Sequence, residues 1–103
     1  MPIQRTTCFK MKDEADITGM IEQYKTLEQT ARKDGKKYIQ EVTSRQTIND
    51  PRSQGFNFIA STMFASMDDF KYYDEECAAH GKLKAWAKDK VGGPPLVLYS
   101  ETQ

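Results

Sequence analysis

The stretch Gly55-Phe56-Asn57-Phe58-Ile59-Ala60-Ser61-Thr62-Met63-Phe64-Ala65-Ser66-Met67-Asp68-Asp69-Phe70-Lys71-Tyr72-Tyr73 carries two periodicities in succession. In its first half Phe56, Phe58, Ala60, Thr62 and Phe64 share one side of a period-two pattern, and Asn57, Ile59, Ser61 and Met63 take the other. That alternation predicts a strand over 56–64. Ser66 then supplies a hydroxyl able to cap a free helix N–H, and Asp68 and Asp69 face the positive end of the dipole. A helical region is expected from there to about residue 90, with a break near Cys77-Ala78-Ala79. The break is expected because Phe70, Tyr73, Cys77, Leu83 and Trp86 do not keep one helical phase.

Working outward from this strand and helix gives the rest of the order. Upstream, Asn49-Asp50-Pro51-Arg52-Ser53-Gln54-Gly55 collects turn formers, so it reads as a hairpin loop behind a long half-exposed strand over 38–48. Further upstream, Ile17, Met20, Ile21, Tyr24, Leu27 and Ala31 recur at helical spacing and predict a helix of about 18 residues. Asp13 or Asp16 is its expected cap and Gly35 its expected stop. A first strand is expected over 4–12, with Arg5, Thr7, Phe9 and Met11 on one side. Downstream, Gly92-Gly93-Pro94-Pro95 ends the second helical region and a last strand follows over 96–99.

The order strand, helix, strand, strand, helix, strand is the split βαβ arrangement of an α+β, ferredoxin-like βαββαβ fold with an antiparallel four-stranded sheet. Right-handed crossovers put both helical regions on one face. The other face is expected to carry an alternating set that includes aromatic residues, namely Arg5, Thr7, Phe9 and Phe58. Left in water, such a set would form a large apolar patch, so a second copy of the chain is expected to close it.

Composition narrows the function classes. A chain of 103 residues suits one domain, here taken as 1–103, and can bury roughly 60–65% of its unfolded surface. Fifteen basic and fifteen acidic residues cancel, which argues against nucleic acid or an anionic membrane as partner. Pro2 to Thr7 is polar with no apolar run behind it, no stretch approaches a membrane span, and Cys8 and Cys77 lack the spacing of a metal site. The expectation is a cytoplasmic protein with reduced thiols.

Several short motifs resemble the stress-responsive A/B barrel family, whose dimers form a dimeric α+β barrel and which includes plant and fungal stress proteins and polyketide cyclases. Cys8-Phe9-Lys10-Met11-Lys12 is similar to the family's apolar-Lys-Phe-Lys strand ending, and Gly55-Phe56-Asn57 to its Gly-Tyr-Thr-His opening. Phe64 to Tyr73, leading to Cys77-Ala78-Ala79-His80, resembles its Phe-x-Ser, acid-rich helix and His-Pro-Ala-His segment. The resemblance implies a homodimer, a small aromatic or polyketide-like ligand, and ring closure by intramolecular aldol chemistry without a cofactor. It also implies that His80 and Tyr73 act in the pocket. Arg5 stands at the family's first-strand histidine, and Cys77 at the first histidine of the segment.

His80 is the sole histidine, and its ordinary pKa near neutrality suits removal of a proton beside a carbonyl. The alternative is a histidine at a helix break that bonds a backbone carbonyl. Tyr73 is either a donor to a developing enolate or a packing tyrosine. Arg5 either orients an anionic group or pairs with an acid, and Thr7, Phe9, Phe58 and Tyr72 complete the expected substrate-binding set. Asp68, Asp69, Asp74, Glu75 and Glu76 read as a solvated helix surface with no metal site. Lys82, Lys84, Lys88 and Lys90 read as ordinary wet surface beside Asp89. Three functions remain open: a cofactor-independent cyclase, isomerase or lyase; a non-catalytic stress or ligand-binding dimer; and, more distantly, a cofactor-free monooxygenase.

Overall fold

In the computed structural model, which describes residues 1–102, the elements run β1 (Ile3–Phe9), α1 (Ile17–Thr30), β2 (Ile39–Gln46), β3 (Phe58–Phe64), α2 (Met67–Glu75), α3 (Ala78–Ala87) and β4 (Leu96–Glu101). The strands form one four-stranded sheet in the order β2-β3-β1-β4, every neighbour antiparallel. This is the ferredoxin-like α+β arrangement that the alternating patterns predict, and the helix break falls between Glu75 and Ala78 as expected.

The ends of the elements differ from the expected ones for identifiable reasons. β1 stops at Phe9 because the Asn57 side chain takes over its edge, accepting from Met11 N at 2.8 Å and donating to Met11 O at 3.0 Å. Asn57 therefore belongs to the turn, and β3 begins at Phe58, two residues after the expected start. Asp13 caps a short 3-10 turn at Glu14–Asp16 by accepting from Ala15 N at 2.9 Å, and α1 continues from it. Helix α1 ends at Thr30, well before Gly35. Gly35 and Asp34, with φ of 76° and 52°, instead build a left-handed turn that lets Lys33 and Lys36 exchange backbone hydrogen bonds.

α1 buries Ile17, Met20, Tyr24 and Leu27 against the sheet, and each such side chain contributes about 1.5–3 kcal/mol by leaving water. Tyr24 meets Phe58 with ring centroids 6.0 Å apart, while Phe64 packs edge-on to Phe70 of α2. α1 and α3 approach closely at Gly19, where a Cβ would come within 2.8 Å of the Trp86 ring. The end of α3 is laced to the end of β1 by Lys12 N to Lys90 O at 2.9 Å and Gly92 N to Lys10 O at 2.7 Å.

One expectation is reversed. The set Arg5, Thr7, Phe9 and Phe58 lies under the helices, with Arg5, Thr7 and Phe58 buried and Phe9 half-buried. The open face carries Gln4, Thr6, Cys8, Ile59, Ser61 and Met63, joined by Glu41, Thr43 and Arg45 of β2. The more apolar alternate set goes where the apolar helix stripes are, because only there can both lose water together. Strand β4 is the exception to this economy: Leu96, Leu98 and Tyr99 are all exposed on an edge strand.

Candidate functional site

The elbow between α2 and α3 fixes the one histidine. Glu76 N and Cys77 N both donate to Tyr72 O, at 2.8 and 2.9 Å, so the Tyr73 carbonyl is deprived of its usual helical donor. His80, in the first turn of α3, fills that role with Nδ1 2.9 Å from Tyr73 O, and its ring stacks on the Tyr73 ring at 3.8 Å and 12°. A carbonyl only accepts, so the proton sits on Nδ1 and the neutral ring keeps a lone pair on Nε2. Burial is the main reason that the imidazole pKa falls to about 4, helped by the Arg5 and Lys84 charges and opposed by the Tyr73 carbonyl and Asp74. Near neutral pH the ring is uncharged.

His80 opens on a cleft of about 200 Å³ between β1 and α3, walled by Phe9, Leu83, Ala87, Val91 and Pro95. Arg5 and Thr7 form its inner end, and Lys84 and Lys88 stand along its rim. Arg5 is buried yet charged, and three contacts make this tolerable. Its guanidinium pairs with Asp74 at 3.0 Å, donates to Thr7 Oγ1 at 2.6 Å and lies 5.2 Å from the Tyr73 ring centre. Arg5 Nε, the Tyr73 hydroxyl and Thr62 Oγ1 have no hydrogen-bond partner, and Thr62 faces Arg5 across the β1–β3 ladder. Burial holds the Tyr73 and Tyr24 hydroxyls well above the ordinary tyrosine range, so both stay protonated donors.

Of the residues singled out from sequence, Arg5, Thr7, Phe9 and His80 meet in this cleft. Tyr73 sits directly behind His80, only 1% exposed. Phe58 lies deeper, packed between Phe9 and Tyr24. Tyr72 turns away: its hydroxyl donates to Arg32 O at 3.0 Å and its ring meets Tyr38 edge-on. Neighbouring residues on a helix point about 100° apart, so Tyr72 and Tyr73 cannot share one pocket.

Sequence reasoning missed Asp74, Lys84 and Lys88 as parts of the site. The signal was present in their spacing, since residues 80, 84 and 88 lie at i, i+4 and i+8 along one side of a helix. Among the described residues no group of His, Cys, Asp and Glu is placed to hold a metal ion, and no helix is long and apolar enough to cross a membrane.

The stress responsive A/B barrel domain matches residues 3–92, which hold β1 to α3 and stop short of β4. The chain belongs to the stress responsive A/B barrel domain family. A fusaristatin A biosynthesis cluster protein of Gibberella zeae is 37% identical to it over 82 residues, which are 80% of this chain and 59% of that protein. The chain thus spans little more than half the length of this curated relative. In fold, this A/B barrel chain is similar to a dimeric ferredoxin-like protein of unknown function from Bacteroides fragilis, with a TM-score of 0.78, 14% identity and coverage of 98% and 96% of the two chains. It is also similar to a hydroxynitrile lyase from Passiflora edulis, with a TM-score of 0.76, 15% identity and coverage of 96% and 91%.

Proposed function

We propose that this A/B barrel chain is a small-molecule-handling, homodimeric protein that runs cofactor-independent acid–base chemistry on an aromatic or polyketide-like substrate. The observation that carries this reading is the neutral His80 imidazole, oriented by the Tyr73 carbonyl and opening on an apolar cleft with Arg5 at its inner end. In the proposed step, Nε2 takes a proton from a carbon flanked by carbonyls and leaves an enolate. The Arg5 guanidinium, at the inner end of the cleft, is the donor proposed for the enolate oxygen, while Tyr73, whose hydroxyl is fully buried, backs the His80 ring. The enolate carbon then attacks a second carbonyl of the same molecule, forming the C–C bond, and the imidazolium returns its proton to the new alkoxide. An imidazolium beside Arg5 is costly, and the negative charge created in the same step offsets it.

The relation to a biosynthesis cluster protein supports a place among enzymes that build small molecules. His80→Ala is expected to lower turnover of a poly-β-keto substrate by about 10²–10⁴-fold, and unchanged turnover would remove the assignment. The second reading is a ligand-binding or stress-response dimer without turnover. It is favoured by the same low pKa, which makes His80 a weak base in the free protein. Binding of substrate with no conversion by the purified protein would establish it.

A single domain over residues 1–103, a cytoplasmic setting and pairing with a second copy belong to the same proposal. Pairing is supported by the uncovered sheet face and the exposed apolar edge strand β4, which leaves a row of backbone groups to be matched. Light scattering at micromolar concentration is expected to return twice the chain mass.

A further inference from the structure

We propose that the cleft selects anionic amphiphiles: a single acyl or aryl chain lying on Phe9, Leu83, Ala87 and Val91, with its acid group held at the rim by Lys84 and Lys88. This deepens the function proposed above, because it rests on the cleft between β1 and α3 being a ligand site and names the charge that its ligand carries.

The cleft walls are apolar, and the charged side chains lining it are all cationic: Arg5, Lys84 and Lys88. The Asp74 carboxylate is spent on the Arg5 guanidinium at 3.0 Å. Lys84 and Lys88 have no carboxylate within ion-pair distance among the described residues; Lys84 reaches only the Asp74 backbone carbonyl, at 3.4 Å. The rim therefore holds two cations beyond local neutrality, on a chain whose total charge is zero. Two lysines at i and i+4 repel one another across a helix face. Lys88 caps the carboxyl end of α3 and Lys84 stands in its last turn, so the helix dipole favours both cations and offsets part of that repulsion.

Size matters as well as charge. A cleft of about 200 Å³ has room for a chain on the order of eight carbons, and a neutral ligand of the same length would use the walls while leaving the cations unanswered. Uncharged polyols and cations find nothing complementary there.

The test titrates the full chain at pH 7 with octanoate, octyl phosphate and octan-1-ol, reading binding heats. Both acids, or one of them, are expected to bind at least ~10-fold tighter than the alcohol, a difference of about 1.4 kcal/mol. Preference for octanoate assigns a carboxylate head, and preference for octyl phosphate a phosphate ester. Lys84→Gln, at an exposed position that leaves the fold intact, is expected to weaken the acid about 3- to 10-fold and leave the alcohol unchanged, and added salt to do the same. Equal binding of acid and alcohol overturns the proposal, as does absence of binding by all three. Because the readout is the head-group ratio, His80→Ala retains it even if turnover is lost, which separates this outcome from failure of the acid–base reading.

Discussion

The two faces of the sheet are built from the same strands and have opposite chemistry. Under the helices β1 and β3 present Ile3, Arg5, Thr7, Phe58, Ala60, Thr62 and Phe64, all nearly inaccessible. On the other side they present Gln4, Thr6, Cys8, Ile59, Ser61 and Met63, which keep partial or full contact with water. The covered face is mostly hydrocarbon but is interrupted where Arg5, Thr7 and Thr62 meet, and this polar interruption is where the cleft ends. The open face is polar enough to stay in water and has no comparable buried charge. A functional site on such a sheet is thus found by looking for polar residues in the apolar face, and not for aromatic residues in the polar one.

The largest break in this contrast should come from the covered face. Phe58→Ala removes a fully buried ring that touches Phe9 and Tyr24, and a loss of about 3–5 kcal/mol in denaturant unfolding is expected. A loss below about 1 kcal/mol would mean that the covered face is not the main core.

Next comes the pH response of His80. Its pKa is about 4 in the folded chain against an ordinary 6.5, so the unfolded chain binds the extra proton first as pH falls. Stability from this residue is full above pH 6.5 and is lost as pH drops toward 4, an effect of roughly 3 kcal/mol. His80→Gln should flatten the unfolding free energy of the protein across that window relative to wild type. An unchanged slope would place the imidazole in water.

Smaller effects separate the buried charge from its partner. Asp74→Ala leaves the Arg5 cation buried with only Thr7 and the Tyr73 ring to answer it, and a loss of about 1–3 kcal/mol is expected, less than for a wholly buried pair because Asp74 is itself partly exposed. Arg5→Met with Asp74→Asn should recover most of that loss, since a similar-sized apolar side chain fills the space without desolvating a charge. The smallest effect belongs to the open face. Ser61→Ala, which removes one long contact to Thr6 at 3.4 Å, should change chain stability by no more than about 0.5 kcal/mol.

Much of the fold was legible because alternation and helical spacing are local properties. Phe56 to Phe64 and Ile17 to Ala31 declare their period whatever surrounds them. The facing of the sheet is not local, since alternation divides a strand into two sets without saying which one the helices cover. The relative hydrophobicity of Phe58, Ala60 and Phe64 against Asn57, Ser61 and Gln4 held that answer. For the site, His80 and Arg5 stood out as the one histidine and a charge on an apolar strand face. Asp74 and Thr62 did not, because their roles arise from a strand pairing and a helix elbow that bring distant residues together. Lys84 and Lys88 were hidden by a neutral total charge, which averages away a local excess.

The hydrogen bond from His80 to the carbonyl of Tyr73 has an evolutionary consequence. The imidazole that would move a proton also finishes the α2 helix end, so two selection pressures fall on one position. A lineage that abandoned the chemistry would still be penalised for losing the ring, and its histidine would persist as architecture. Among descendants of this chain, drift at the exposed Lys84, whose charge is proposed to meet a ligand, would therefore register a change of trade sooner than drift at His80.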